Sequence, residues 1–286
     1  MKNRQTIIGA HVSAAGGLEN APLAAAKLGL DCFQFFSRPP QGGRVAPITK
    51  EAAMKFKDAC KSVGITEYYV HAPYVINLAS GEERIRRNSI EILKTELERS
   101  AALGVAATMT HVGSAKDVGE ERGVELVVEG IKEILAKHKG ENLFLVEISA
   151  GAGSIIGDTF DEVAAIMGSI KDDRLLVCFD TAHAFASGYD LRDETAVNKT
   201  MDEFNRTVGL KRLYMSHCND SQVDIGAHKD RHEHIGRGFI GEKGFRAMLA
   251  SPAFRGLPLI LETPHDDLLA DDIALLKKLR SAAAKA

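Results

Sequence analysis

The feature that most constrains the fold is a set of six short, largely apolar runs that each end on a histidine or a carboxylate. The residues that close these runs are His71, His111, Glu147, Asp180, His217 and Glu262. Such runs, rich in β-branched and aromatic residues, are typical of strands buried on both faces. A charged or imidazole group there is costly unless it lies at the strand's end beside a partner. The pattern therefore predicts six strands whose same ends meet in one pocket.

Two further runs of the same character, Ile7–His11 and residues 32–36, raise the predicted strand count to eight. Helical patterns separate the strands, and the fifth helix begins with a capping box of Thr159 and Glu162. The other predicted helices span residues 49–63, 83–103, 117–139, 194–208, 241–250 and 267–286.

This alternation predicts an α/β protein with a single (β/α)8 TIM-barrel catalytic domain over residues 1–286. An open, doubly wound sheet is the alternative. We favour the barrel because ligands from the third to the eighth strand must converge, and a closed ring brings all those strand ends together.

Composition indicates an ordinary globular chain, with 45% hydrophobic and 26% charged residues. No apolar run approaches the ~20 residues that span a bilayer, and the first residues show no signal peptide. The four cysteines, without CxxC spacing, are interpreted as buried reduced thiols. We therefore expect a cytoplasmic protein, nucleoid-associated when acting, with no membrane partner.

The formal net charge of −3 is unusual for a nucleic-acid binder. Three divalent cations would add six charges, and −3 + 6 gives +3. Basic residues also follow the predicted strands, among them Arg38, Arg44 and Arg231. Net charge therefore does not exclude a DNA substrate.

The set of candidate metal ligands is larger than six. His183 follows Asp180 by three residues, and Asp230 and His232 stand at i and i+2, which face one side of an extended chain. The full set is His71, His111, Glu147, Asp180, His183, His217, Asp230, His232 and Glu262. Nine nitrogen and oxygen donors are too many for one ion, but they suffice for three zinc or manganese ions with a bridging carboxylate.

The remaining histidines are interpreted as structural. His11 ends the first strand without a ligand beside it on strand two, so we expect it to support the site. His138 is expected to be solvated at a helix end, and His234 is not counted among the ligands.

Five segments carry a resemblance to a known family. They are residues 9–18 (GAHVSAAGGL), 71–78 (HAPYVINL), 179–183 (FDTAH), 217–221 (HCNDS) and 230–236 (DRHEHIG). The chain resembles the endonuclease IV family of apurinic/apyrimidinic (AP) endonucleases, in the xylose-isomerase-like TIM-barrel superfamily. The resemblance implies a DNA-repair enzyme with three zinc ions that nicks duplex DNA on the 5′ side of an abasic site.

The resemblance also implies how the ligands divide. His71, His111 and Glu147 would hold the first ion, and Glu147 would bridge to a second. Asp180, His217 and Glu262 would complete the second site, while His183, Asp230 and His232 would hold a third ion, zinc or manganese. Glu147 would orient the attacking water and help to take its proton, leaving a 3′-hydroxyl and a 5′-deoxyribose phosphate. Clearing of blocked 3′ ends is also implied.

The loop after the third strand is the expected lesion sensor, with Tyr74 and Val75 entering the minor groove unless they only pack the loop onto the rim. The expected DNA contacts are Tyr74, Val75, Asn77, Arg38 and Arg231. The chain departs from the family pattern in residues 37–44, in residues 149–153, and at Ala182 and Gln222. No departure removes a predicted ligand.

Two other functions fit the same residues. Sugar isomerases and epimerases share the barrel but need only one or two ions, which leaves His183, Asp230 and His232 unexplained. A non-catalytic binder of abasic DNA would not need a complete ligand set. Metal stoichiometry distinguishes a sugar isomerase from the nuclease, and nicking of abasic DNA distinguishes a non-catalytic binder from the nuclease. We expect a monomer without an obligate protein partner.

Overall fold

Eight parallel strands close into a barrel in the computed structural model, which describes residues 5–284. The barrel strands are β1 (Ile7–His11), β2 (Cys32–Phe35), β3 (Tyr68–His71), β4 (Ala107–Thr110), β5 (Leu143–Glu147), β6 (Leu175–Asp180), β7 (Leu213–His217) and β10 (Pro258–Leu261). Each strand pairs with its neighbours around the ring, and β10 closes the ring against β1. The predicted TIM barrel is confirmed, and the open sheet is excluded.

The helices lie between these strands and pack around the barrel. They are α1 (Asn20–Lys27), α2 (Lys50–Val63), α3 (Glu83–Leu103), α4 (Glu120–Lys137), α5 (Phe160–Ser169), α6 (Thr181–Ala186), α7 (Glu194–Thr207), α8 (Gly241–Ala250) and α9 (Leu269–Ala283). The hydroxyls of Thr49 and Thr159 accept hydrogen bonds from backbone N–H groups in the first turns of α2 and α5. Residues 285–286, predicted to continue the last helix, lie outside the described residues.

Two short elements near the C-terminal strand ends were not predicted from the sequence. One is α6, a six-residue helix that starts directly after Asp180 and carries His183. The other is an antiparallel hairpin of β8 (Asp220–Ser221) and β9 (His232–Glu233), which carries His232. Both place ligands over the strand ends rather than within the ring.

The barrel interior is filled by side chains that point inward from the strands. They are Cys32, Tyr69, Ala107, Met109, Leu145, Cys178, Met215 and Ile260. A Cβ built at Gly9 would lie 2.6 Å from the carbonyl oxygen of Cys32, so glycine lets these strands pack closely. All four cysteines are buried thiols that form no disulfide, as predicted. A larger apolar layer joins the outer face of the strands to the helices.

The last helix is fixed to the N-terminal ends of the first two strands. Nη1 of Arg280 donates to the carbonyl oxygen of Thr6 at 3.0 Å and to Oδ2 of Asp31 at 2.5 Å. Thr6 precedes β1 and Asp31 precedes β2. Within residues 5–284, no helix combines the length and apolar character needed to cross a bilayer.

Candidate metal centre

All nine predicted ligands lie at the pole formed by the C-terminal ends of the barrel strands. Four of them are the last residues of β3, β5, β6 and β7, namely His71, Glu147, Asp180 and His217. His111 and Glu262 directly follow β4 and β10. The parallel ring gathers these six side chains because it turns every strand end towards the same pole. The other three ligands are His183 of α6, His232 of β9, and Asp230 of the loop that joins β8 to β9.

The first donor group contains His71, His111 and Glu147. Oε2 of Glu147 lies 3.0 Å from Nε2 of His71 and 3.6 Å from Nε2 of His111. Nδ1 of His71 lies 2.6 Å from the carbonyl oxygen of Ala72, so Nε2 remains free to face the group.

The second donor group contains Glu147, Asp180, His217 and Glu262. Nδ1 of His217 lies 2.8 Å from Oε1 of Glu147 and 3.2 Å from Oε2 of Glu262. The two oxygens of Glu147 thus face different groups, as a bridging carboxylate requires. This is the arrangement that the family resemblance implies.

The third group contains His183 and His232, whose Nε2 atoms lie 3.2 Å apart. Oδ1 of Asp230 lies 3.3 Å from Nε2 of His183 and 3.4 Å from that of His232. Asp180 also belongs here, with Oδ2 3.7 Å from Nε2 of His232. His183, Asp230 and His232, the three ligands predicted for the third ion, therefore lie together. Asp180 belongs to both the second and the third group.

The donor groups have the spacing and the chemistry of sites for divalent ions. In the first group, in the second group, and among Asp180, His183 and His232 of the third, one ligand atom from each residue lies within 4.8 Å of the others. Donors at about 2.0–2.2 Å from one zinc ion are at most about 4.4 Å apart, so small side-chain movements suffice. Imidazole and carboxylate donors without thiolate suit zinc or manganese.

Burial and charge act in opposite directions on the pKa values at this pole. Burial disfavours the charged form of His183, but the carboxylates of Asp180 and Asp230 outweigh burial and raise its pKa to about 10. Burial alone would raise the pKa of Glu147, yet the imidazoles of His111 and His217 hold it well below its usual value. Protons therefore balance the carboxylates in the metal-free protein, and a bound divalent cation would replace them.

Polar residues behind the ligands fix their orientation, and they were not predicted from the sequence. Nε2 of Gln34 donates to Oε1 of Glu262 at 2.6 Å, while its Oε1 lies 2.8 Å from Nε2 of His217. Nδ2 of Asn219 donates to Oδ2 of Asp180 at 2.8 Å. Gln34 lies on β2, the strand expected to contribute no ligand beside His11, and it is in none of the donor groups but holds two ligands in place. The sequence feature that could have identified Gln34 is that it is the one polar residue within the otherwise apolar strand β2.

The other histidines are placed as follows. Nδ1 of His11 lies 3.0 Å from Nε2 of Gln34, beside the second group, which agrees with a supporting role. His234 pairs with Asp272 at 2.7 Å and is in none of the donor groups found among residues 5–284. His138, predicted to be solvated, is buried, because the chain turns inward after α4 and brings Nε2 to 3.0 Å from the carbonyl oxygen of Asn142.

Two clefts flank Tyr74 at this pole. A cavity of about 540 Å³ is bounded by Tyr74, by Arg231 and by members of all three donor groups. A second cleft of about 330 Å³ is lined by Tyr74, Val75 and Asn77 together with His71 and other residues. Tyr74 stands between the clefts with 70% of its surface exposed.

The five predicted DNA contacts differ in accessibility. Tyr74, Val75 and Arg231 are exposed beside the metal centre. Asn77 is half-buried, and its Oδ1 accepts from the backbone N–H groups of Ala79 and Ser114, so it shapes its own loop.

Arg38 is not accessible to DNA. Its side chain is 3% exposed and forms an ion pair with Glu96 of α3, because the loop after β2 folds onto that helix. The prediction that Arg38 contacts DNA is therefore wrong.

Comparisons with known proteins agree with this geometry. Residues 22–279 match the family described as xylose isomerase-like TIM barrel. The chain is 39% identical over 275 residues to the probable endonuclease 4 of Chloroflexus aurantiacus, with 96% of each chain covered. It is 40% identical over 280 residues to the probable endonuclease 4 of Methanosphaerula palustris, covering 96% of this chain and 98% of the relative.

Comparison with solved structures also indicates similarity to endonuclease IV. The crystal structure of endonuclease IV from Thermus thermophilus superposes with a TM-score of 0.84 and 32% identity, covering 98% of this chain and 99% of that chain. A D-tagatose 3-epimerase-like protein also superposes, with a TM-score of 0.74 over 98% of this chain and 97% of that chain, but its 17% identity indicates a shared fold alone. The chain belongs to the endonuclease IV family of AP endonucleases, within the xylose isomerase-like TIM barrels.

Proposed function

We propose that this protein is a metal-dependent nuclease that hydrolyses the phosphodiester bond 5′ to an abasic site in duplex DNA. The products would be a 3′-hydroxyl and a 5′-deoxyribose phosphate. The proposal further includes removal of blocking groups from 3′ ends, since that reaction also breaks a phosphodiester bond.

The observation that carries the proposal is the linkage of three donor groups through two carboxylates, Glu147 and Asp180. A metal-dependent sugar isomerase uses one or two ions and has no need for the third group. A protein that only binds abasic DNA has no need for a complete and interconnected ligand set. The similarity to proteins named probable endonuclease 4 supports the same choice.

We assign three zinc ions to the three groups, with zinc or manganese at the third. When bound, the ions would supply Lewis acidity that lowers the pKa of water and offsets negative charge on the phosphoryl oxygens. His71 and His111 would share the first ion with Glu147, and His217 and Glu262 belong to the second site. The third ion would be held by His183, His232 and Asp230, with Asp180 adjacent.

Glu147 is the proposed catalytic residue. The neighbouring imidazoles hold its pKa well below the usual value, so it is ionised and its oxygens accept a hydrogen bond from the attacking water, the contact through which it would help to take the proton. Its two oxygens face His71 and His217, which fixes the plane of the carboxylate between the first two groups. That position lets it orient the water towards a phosphate in the adjoining cavity.

The exposed residues beside the cavity support a DNA substrate. Tyr74 and Val75 project from the pole, 70% and 41% exposed, where they could fill the gap that a missing base leaves. Arg231 adds a cation at the cavity wall, a type of residue that binds phosphate. We further propose a cytoplasmic monomer that acts at the nucleoid without an obligate protein partner.

The test is incubation of the purified protein with a duplex oligonucleotide that contains one abasic site. We expect a single nick on the 5′ side, with a 3′ end that a DNA polymerase extends, and near three metal equivalents per chain. An undamaged duplex of the same sequence is the control. Failure to cleave with about one equivalent of metal, together with epimerisation of a ketose, would assign the protein to the sugar-modifying members of the fold.

A further inference from the structure

The loop after β2 makes direct contact with Tyr74 and Val75, a contact that was not predicted from the sequence. We call these two exposed residues, which are proposed to fill the gap of a missing base, the wedge. We call residues 37–46 (SRPPQGGRVA) the β2 loop. The backbone N–H of Tyr74 donates to the carbonyl oxygen of Pro40 at 2.9 Å. The N–H of Gly42 donates to the carbonyl oxygen of Pro39 at 3.0 Å and closes a turn around Pro40. Because proline fixes its own φ angle, this turn holds the acceptor for Tyr74 in a rigid position.

The side chain of Val75 rests on the backbone of the same loop. Gly42 has a φ of +84°, and a Cβ built there would lie 2.8 Å from Cγ2 of Val75. Gly43 has a φ of +103°, but a Cβ at that position would meet no atom within 4 Å. Both positions favour glycine for backbone conformation, yet Gly42 is the one that packs against Val75.

Buried ionic groups on α3 hold both ends of the β2 loop. Glu96 is fully buried, accepts from the hydroxyl of Ser37 at 2.8 Å, and forms an ion pair with Arg38. Nη1 of Arg99 donates to the carbonyl oxygen of Ala46 at 2.5 Å. Charge-assisted hydrogen bonds shielded from water are strong, so the loop is fixed to a helix outside the metal centre.

The ring of Tyr74 is supported by the residue that precedes the β2 loop. It packs edge-on against Phe36, with ring centroids 5.4 Å apart, and Phe36 directly precedes the β2 loop. The β2 loop therefore contacts the backbone of Tyr74 and the side chain of Val75, and Phe36, the residue before the loop, contacts the ring of Tyr74. An exposed side chain that is ordered before binding avoids an entropic cost at the moment of binding.

We propose that the β2 loop positions the wedge, so that Pro40 and Gly42 set the preference for abasic over undamaged DNA through Tyr74 and Val75. This inference rests on the proposed function. These loop residues act through their neighbours, without touching the reacting atoms. A duplex without a lesion has no gap to receive the wedge, so the β2 loop affects selectivity far more than general DNA affinity.

The test compares Gly42→Ala with Gly43→Ala, since both put a methyl group at a positive φ but only the first contacts Val75. The measurement is the ratio of dissociation constants for undamaged duplex and for duplex with one abasic site. Gly42→Ala should lower this ratio about tenfold, within the range for losing one base-stacking aromatic. Metal content, affinity for undamaged duplex and kcat at saturating abasic duplex should stay at wild-type values. Gly43→Ala should leave the ratio unchanged.

A double variant tests whether Gly42→Ala acts through its contact with Val75 or through general strain in the loop backbone. In a Val75→Ala background the methyl group at position 42 no longer meets Cγ2, so Gly42→Ala should have as little further effect as Gly43→Ala. An equal loss of selectivity in both glycine variants, or a full tenfold loss that persists in the Val75→Ala background, would overturn the inference. Wild-type protein that neither prefers nor nicks abasic duplex would instead overturn the proposed function.

Discussion

Oδ2 of Asp180 lies 3.7 Å from Nε2 of His232, although the two residues come from β6 and from the hairpin of β8 and β9. The same oxygen lies 3.8 Å from Nδ1 of His217 in the second donor group. One carboxylate therefore adjoins two groups that come from different parts of the chain. Loss of its charge should affect both metal sites at once.

The first prediction compares Asp180→Asn with His232→Ala. His232→Ala should lower bound metal by about one equivalent, because a three-ligand site seldom survives the loss of one ligand. Asp180→Asn should lower bound metal by more than one equivalent, because the neutral amide weakens both groups. Elemental analysis of the purified variants measures this, with His265→Ala as the control for a cavity residue outside the groups. Equal metal loss in both variants would show that Asp180 serves one site.

The second prediction concerns the bridging carboxylate. Glu147→Gln should retain the fold and much of the affinity for DNA, but lower the nicking rate at least about a hundredfold, because the neutral amide weakens the two metal sites that share Glu147 and cannot help to take the proton. Single-turnover cleavage of abasic duplex measures the rate, and circular dichroism checks the fold. Cleavage at the wild-type rate would remove Glu147 from the catalytic role.

The sequence predicted most of the metal centre because six ligands close buried apolar strands. A polar residue at the end of an apolar run can be recognised in the sequence. The parallel barrel then needs no further contact to bring these six side chains to the same pole. The dual position of Asp180 was not predictable, because it depends on how the hairpin folds over the end of β6. The burial of Arg38 was not predictable either, because it depends on an ion pair with Glu96, which is 58 residues away in sequence.

The third prediction concerns the wedge. Tyr74→Ala should weaken binding to abasic duplex by about 1–3 kcal/mol, the range for losing one base-stacking aromatic. Its melting temperature should change little, because Tyr74 is 70% exposed. Tyr74→Phe keeps the ring and should bind as the wild type does. Fluorescence titrations with abasic and undamaged duplexes check both variants, and an equal loss for the two duplexes would show that Tyr74 does not sense the lesion.

The fourth prediction concerns pH. The pKa of His183 is raised to about 10 and that of His217 also lies well above its usual value, so both imidazoles are protonated near neutral pH without metal. Metal binding must displace these protons, so metal affinity should fall as the pH is lowered. Calorimetric titration of metal-free protein with zinc, in two buffers of different ionisation enthalpy, measures proton release. Binding heats that do not depend on the buffer would contradict the prediction.

The fifth prediction concerns packing inside the barrel. A methyl group on Gly9 would lie 2.6 Å from the carbonyl oxygen of Cys32 and 2.7 Å from Cδ1 of Ile260. Gly9→Ala should therefore lower the free energy of unfolding by about 1–3 kcal/mol, as expected for overpacking. Gly168→Ala is the matched control, since position 168 lies in α5 with nothing within 4 Å. That change should raise stability by about 0.5–1 kcal/mol, and denaturant unfolding distinguishes the two.

The attachment of Arg280 to Thr6 and Asp31 has a consequence for handling the protein. It places the last turns of α9 beside the beginnings of β1 and β2, at the pole opposite the metal centre. A surface tether, a fluorescent reporter or a second protein joined after α9 would thus extend away from the DNA. Immobilised in that way, every molecule would present its cleft to the solution.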